Sequence, residues 1–159
     1  MIGRRRTTAI ALLATLLVAS AALLVWNASA RRHSVQAGQD AAQAARDAIV
    51  AIMSYQPATA QQSLAAAAAD RLTGKFLDDY TQLIKTVVVP EAVGKRITAT
   101  AQVPAAAVVT ADARHAVVLA YVDQTTAVGS AAPARANSAV RVTMDNIDGR
   151  WLISGFDPI

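Results

Sequence analysis

The sequence predicts an α+β domain, in which helices pack on a curved antiparallel sheet, behind an N-terminal membrane-spanning helix. A run of 24 uncharged residues, Thr7 to Ala30, lies near the start of the 159-residue chain. Apolar residues then recur at three- and four-residue steps up to Val87, the period of a helix, and at two-residue steps from Ile97, the period of a strand. Helices followed by consecutive strands are typical of an α+β domain.

The uncharged run is long enough to cross a bilayer. As a helix, 24 residues extend about 36 Å, whereas the hydrocarbon core is about 30 Å thick. Ala28-Ser29-Ala30 also fits a signal-peptidase site, but the apolar stretch from Ala9 to Trp26 is 18 residues long, and signal cores usually have about 7–15. We therefore predict an uncleaved anchor, with a cleaved signal peptide as the alternative.

The anchor divides the chain into three parts. Residues 1–30 are predicted to form a cytoplasmic tip and the transmembrane anchor, residues 31–40 a juxtamembrane linker, and residues 41–159 an extracytoplasmic domain. Three arginines precede the uncharged run and two follow it, a bias that favours a cytoplasmic N-terminus. The sequence therefore predicts a single-pass protein of the cell membrane, with the lipid bilayer as its first partner.

The charge distribution argues against a nucleic-acid partner, although the calculated pI is about 10.0. The first 32 residues contain no acid and five of the 15 basic residues, namely Arg4, Arg5, Arg6, Arg31 and Arg32. From His33 onward, ten basic residues face eleven acidic ones. The basic excess therefore belongs to the membrane-flanking segment and not to the folded domain. The chain has no cysteine, which excludes disulfides, cysteine zinc sites and thiol catalysis.

Three helices are predicted in the first half of the domain. The first ends near Tyr55, and its apolar stripe comprises Ala42, Ala45, Ile49, Ile52 and Met53. The second is alanine-rich, ends at Thr73-Gly74, and places on one face Leu64, Ala68 and Leu72. The third is expected to end at Pro90, and its stripe comprises Phe76, Tyr80, Leu83, Ile84 and Val87.

An antiparallel meander is predicted in the second half. Two strands contain the alternating positions Ile97, Ala99, Ala101 and Val103 and then Ala116, Val118, Ala120 and Val122. Residues 127–138 are rich in small and polar residues and are expected to form a loop.

The last two strands form a hairpin around Asp148-Gly149, because a type I′ turn requires positive φ at both central residues. Counting outward from this turn places Met144 opposite Ile153 and Val142 opposite Gly155. One face of the hairpin is then apolar and comprises Val140, Val142, Met144, Trp151 and Ile153.

Catalytic signals are sparse in this sequence. Tyr121 and Asp123 share one face of a predicted strand, as a pocket acid and its hydrogen-bonding neighbour would, but the sequence favours a solvated strand end for Asp123. His33 and His115 are the only histidines, and neither has metal-ligand spacing around it. We therefore expect no catalytic residue, no metal and no cofactor, and a protein that is not an enzyme.

Between about residues 40 and 159 the chain contains, in this order, the segments "MSYQPA", "LTGKFLDDYTQLI", "AVVLAYVDQTT" and "DGRWLISGFDPI". Their order and spacing resemble those of the Mce-associated membrane proteins of actinobacteria. This resemblance implies an NTF2-like cone, similar to VirB8 of type IV secretion, and an accessory role in an Mce lipid-import machine. The expected partners are Mce transporter subunits or other envelope membrane proteins, and a homo-oligomer is compatible with this role. The resemblance also implies that Phe76, Tyr80 and Trp151 are structural anchors.

Three hypotheses of function follow. The first is a membrane-anchored scaffold that stabilises or assembles a lipid transporter in the cell envelope. The second is an NTF2-like small-ligand binder or enzyme, because one fold supports many functions. The third is an assembly factor of a secretion channel, similar to VirB8. Neighbouring genes would separate the first from the third, and an inward-facing Asp123 in a well-formed pocket would favour the second.

Overall fold

A computed structural model describes residues 34–159 as helices packed on one four-stranded sheet. The helices are α1 (34–53), α2 (Ala60–Arg71), α3 (Gly74–Leu83) and α4 (Val89–Gly94), with a π-helical segment, Ile84–Val88, between the last two. The strands are β1 (Ile97–Ala111), β2 (His115–Val128), β3 (Ala134–Ile147) and β4 (Arg150–Pro158). The predicted α+β class is confirmed. The predicted anchor, residues 1–30, lies outside the described residues, and within residues 34–159 no helix is long and apolar enough to cross a membrane.

The sheet is an antiparallel meander with the order β1-β2-β3-β4, as predicted. At the last turn, Asp148 has a φ of 52° and Gly149 a φ of 83°, so both central residues have the positive values that a type I′ turn requires. Met144 lies opposite Ile153, as expected. The prediction that Val142 faces Gly155 is wrong, because an irregularity in the pairing places Val142 opposite Phe156. A β-bulge of this kind inserts one unpaired residue and shifts all later partners by one.

The predicted loop over residues 127–138 is also wrong. Strand β2 continues to Val128 and strand β3 begins at Ala134, so only residues 129–133 connect them. Residues 134–138 are all exposed and therefore show no alternation of buried and exposed positions. Their strand conformation comes from backbone pairing with β2, for example Thr125 with Arg135 and Asp123 with Asn137.

Pro90 does not end the third helical segment, contrary to the prediction. The N–H of Val89 donates to the carbonyl of Ile84, five residues back, in a π-helical turn that replaces the ordinary bonding just before the proline. Proline then occupies the first turn of α4, where its missing N–H costs least. Of the predicted stripe, Ile84 is buried, and farther along Ala92 is also buried. The predicted core positions Leu83 and Val87 are wrong, since they are 47% and 49% exposed.

The core lies between α1 and the concave face of the sheet. From α1 it receives Ala41, Ala45, Ala48, Ile49 and Ile52, and from the sheet Ala101, Ala116, Val118, Ala120, Val122, Val140, Val142, Met144 and Ile153. All of these side chains are buried. Because alanine predominates on the helix side, the backbone of α1 can approach the sheet closely.

Helix α1 also covers the outer edge of β1, which no other strand of residues 34–159 pairs. Arg46 donates hydrogen bonds of 3.3 and 3.2 Å to the carbonyls of Val103 and Ala106. Farther along, Tyr55 pairs with Ala99, and Ser54 Oγ accepts from the N–H of Ala101. These bonds satisfy backbone groups that a free edge would offer to another chain.

Tyr80 joins the third helical segment to the end of α1. Its hydroxyl donates a 2.6 Å hydrogen bond to the carbonyl of Ile52. Burial, and secondarily the charge that Tyr55 would carry, raise the pKa of Tyr80 well above its ordinary value. The folded state therefore favours the neutral phenol.

We expect Tyr80→Phe to lower the free energy of unfolding at neutral pH by about 1 kcal/mol, because one hydrogen bond is lost. The wild-type protein should also lose stability as the pH rises above about 10, where the unfolded tyrosine ionises first. The variant should show a smaller alkaline loss. Urea unfolding at several pH values measures both effects, with exposed Tyr121→Phe as the control. An equal alkaline loss in Tyr80→Phe and wild type would contradict this assignment.

Candidate functional site

Strand β2 has one buried face and one outer face. Ala116, Val118, Ala120 and Val122 point into the core, so the intervening side chains point outward. Tyr121 and Asp123 are both on this outer face, and Tyr121 is 61% exposed. The partners of Tyr121 on the neighbouring strands are Ala105 and Ala139. The two residues directly opposite Tyr121 therefore have small side chains.

Asp123 lies in a polar groove that crosses three strands. One row across the sheet is Gln102, Asp123 and Asn137, and the next is Thr100, Thr125 and Arg135. These six residues line a cavity of about 310 Å³ and are called the outer-face groove below. This volume is at the lower end of the roughly 300–1,000 Å³ typical of small-ligand pockets.

One carboxylate oxygen of Asp123 is fixed by the amide of Asn137. The Nδ2 of Asn137 donates to Oδ1 of Asp123 at 2.7 Å, and the other carboxylate oxygen and the Asn137 carbonyl are left to accept further hydrogen bonds. The groove contains one carboxylate and one guanidinium, that of Arg135, so its formal charge is zero. Its lining combines this pair with hydroxyl and amide groups, an arrangement suited to hydrogen bonding.

A second polar depression, of about 380 Å³, lies around the edge of β1. Its lining comprises Ser54, Tyr55, Gln56, Thr59, Ser63, Thr98, Ala99 and Thr100. Thr100 lines both cavities, so polar surface continues from the outer-face groove around the edge strand.

The opposite end of the sheet contains the other polar cluster of interest. His115 Nδ1 lies 2.8 Å from Oδ1 of Asp145. In the adjacent turn, the N–H groups of Arg114 and His115 donate to Asp112 and hold the pKa of that carboxyl below its ordinary value. Within residues 34–159, no group of three or more metal-ligating side chains converges. His33 lies outside the described residues.

The aromatic residues predicted as anchors surround the core. Phe76, Tyr80 and Trp151 are partly buried and pack against it. Phe76 stacks on Phe156, with ring centroids 6.0 Å apart and planes 8° from parallel. These contacts join α3 to β4 and leave the three rings away from the outer-face groove.

Sequence reasoning identified Asp123 and Tyr121 but missed the remaining groove residues. Arg135 and Asn137 were within the predicted loop, and Gln102 belongs to no recognisable sequence motif. Their proximity depends on the register of β1 with β2 and of β2 with β3. Only a prediction that β3 begins at residue 134 would have placed Asn137 beside Asp123.

No family model matches the chain, but several known proteins and solved structures are similar to it. The outer membrane protein Rv1973 of Mycobacterium tuberculosis is 51% identical over 147 residues, which are 92% of this chain and 91% of that protein. An IcmL-like type IV secretion system protein of Legionella pneumophila has a TM-score of 0.62 at 13% identity and covers 74% of this chain and 90% of its own. For VirB8 of Agrobacterium tumefaciens the TM-score is 0.60 at 15% identity, and the match covers 74% of this chain and 88% of VirB8. The structural similarities show the fold alone, and the expected VirB8-like fold is confirmed.

Proposed function

Because the chain belongs to the family of the mycobacterial outer membrane protein Rv1973, we propose that it is a membrane-anchored accessory protein of the cell envelope. In this proposal it stabilises or assembles an Mce-type lipid-import complex. Its N-terminus is cytoplasmic, a single helix spans the membrane, and residues 41–159 lie outside. Its partners are Mce transporter subunits or other envelope membrane proteins, in a complex that can include further copies of itself.

The packed interior is the observation that carries the scaffold role. In a cone-shaped domain, the space between the helices and the concave sheet is where a substrate would bind. Here Ile49 of α1 and Val118, Val142 and Met144 of the sheet lie in that space, and each side chain is fully buried. This packing supports contact of the outer surfaces with other proteins over chemistry inside the domain.

The Mce assignment rests on the sequence. The segments "LTGKFLDDYTQLI" and "DGRWLISGFDPI" resemble the corresponding segments of Mce-associated membrane proteins. In the structure they form α3 and β4 and contact each other through Phe76 and Phe156. The name of the relative, an outer membrane protein, supports a place in the cell envelope.

A secretion-assembly role is the second candidate. The fold similarity to an IcmL-like type IV secretion system protein and to VirB8 favours it. A ligand-binding or enzymatic role is favoured only by the outer-face groove, where Asp123 points away from the core. Co-purification from mild detergent followed by mass spectrometry separates the first two, since Mce subunits are expected as partners under our proposal and secretion components under the alternative.

Deletion of the gene should lower the abundance of the transporter partners and reduce lipid uptake. Complementation with Asp123→Asn should restore both, because this change removes a charge from the groove and leaves the scaffold surfaces intact. Partner levels by immunoblot and uptake of a labelled lipid are the measurements. The exposed Asp78→Asn on α3, at matched expression, is the control variant. A membrane-bound Asp123→Asn protein that restores partner levels but not uptake would replace the scaffold proposal with the pocket hypothesis.

A further inference from the structure

The outer-face groove has the chemistry of a saccharide site, and we propose that it binds a neutral polysaccharide chain of the cell envelope. The scaffold proposal does not use this surface. Three features carry the inference: unpaired polar side chains, an exposed aromatic ring beside them, and zero formal charge.

The polar side chains of the groove are largely free to bind a ligand. Among residues 34–159, the described hydrogen bonds and ion pairs include the Asn137–Asp123 bond but none from the side chains of Thr100, Gln102, Thr125 and Arg135. These hydroxyl, amide and guanidinium groups offer both donors and acceptors. A sugar presents vicinal hydroxyl groups that each donate and accept hydrogen bonds. It can therefore replace water as the hydrogen-bonding partner of these protein groups.

Tyr121 supplies the apolar part of such a site. Its ring is exposed, lies two residues from Asp123 on the same strand face, and has only alanine partners on β1 and β3. A pyranose ring has one face made of C–H bonds, which packs on an aromatic ring while its hydroxyls reach sideways. The polar rows of the groove lie to one side of Tyr121, where these hydroxyls would be.

Other classes of ligand fit less well. Asp123 and Arg135 balance each other, so neither anions nor cations gain a net attraction. A peptide that adds a strand needs a free sheet edge. In the part of β1 beside the groove, however, the backbone of Ala99 and Ala101 is already hydrogen-bonded to Tyr55 and Ser54. The continuation of polar surface through Thr100 into the second depression suits an extended chain better than a single sugar.

The position of the groove favours a polysaccharide over a glycolipid headgroup. Gly38, near the start of α1, lies against Val108 and Ala111, at one end of β1. Gln102 is nine residues from Ala111 along the strand, or roughly 30 Å at about 3.3 Å per residue. In our proposal the anchor precedes α1, and the groove would then lie at the end of the domain away from the membrane.

Saturation-transfer NMR on the full chain in phosphatidylcholine nanodiscs tests this proposal with three neutral probes: maltohexaose, cellohexaose and β-1,4-galactohexaose. At least one should receive saturation, most strongly at the C–H protons of one ring face. Tyr121→Ala and Asn137→Ala should each weaken its binding by about tenfold or more, whereas Asn146→Ala, at the other end of β3, should bind like wild type. Circular dichroism checks that each variant is folded.

Two results would overturn the proposal: no saturation transfer to any of the three probes, or unchanged binding in both groove variants. A second arm adds digalactosyldiacylglycerol to the nanodiscs, and this headgroup should not compete with the soluble chain. Competition would assign the groove to a glycolipid instead of a polysaccharide. Because the readout is direct binding, it is independent of whether the protein stabilises a transporter.

Discussion

Replacing Ile153 by alanine should lower the free energy of unfolding by about 2–5 kcal/mol, the range for truncating a buried aliphatic side chain. Ile153 is completely buried and lies opposite Met144 in the last hairpin. Its backbone also joins the sheet to the helices, since its carbonyl accepts from the N–H of Thr73. The alanine would leave a cavity where sheet and helices meet, and a loss this large is a substantial fraction of typical domain stability.

Urea unfolding of the two proteins measures this difference, and Ile147→Ala provides the matched control. Ile147 has the same side chain in the same hairpin but is 46% exposed, so its truncation should cost less than about 1 kcal/mol. Trp151→Ala should fall between the two, because Trp151 is only partly buried. Equal losses for Ile153→Ala and Ile147→Ala would mean that the buried face of β4 has been assigned wrongly.

Enlarging Ala45 to leucine should destabilise the domain by about 1–3 kcal/mol or more, although leucine favours helices almost as strongly as alanine. Ala45 is completely buried on the face of α1 that contacts the sheet. The extra carbon atoms have no space there, so α1 must move away from the sheet or side chains must leave their preferred rotamers. The close approach of α1 should therefore depend on small residues at these positions.

Gln39→Leu on the exposed side of α1 is the control for this experiment. It introduces the same side chain into the same helix without overpacking, so the free energy of unfolding should stay within about 0.5 kcal/mol of wild type. Thermal and urea unfolding of both variants measure the contrast. A stable Ala45→Leu protein with unchanged unfolding would show that the interface under α1 is loosely packed.

Much of the fold could be predicted because its signals are local. The stripe of α1 and the alternation in β2 were visible as periodicities, and Asp148-Gly149 defined the last turn by its backbone requirement. The wrong predictions have identifiable causes. Pro90 was expected to end a helix, but a π-helical turn accommodates it, and the start of β3 was hidden because residues 134–138 are exposed on both faces.

The sequence alone determined the order of helices and strands, the alternation of buried residues along β2, and the presence of the final hairpin. These features depend on residues only a few positions apart, so a single chain segment contains the information. Only the tertiary structure decided that Gln102, Asp123 and Asn137 form one row and that Val142 lies opposite Phe156. Such neighbours come from different strands, and their register is set by backbone pairing, by the bulges between paired strands and by the packing of α1 against the sheet.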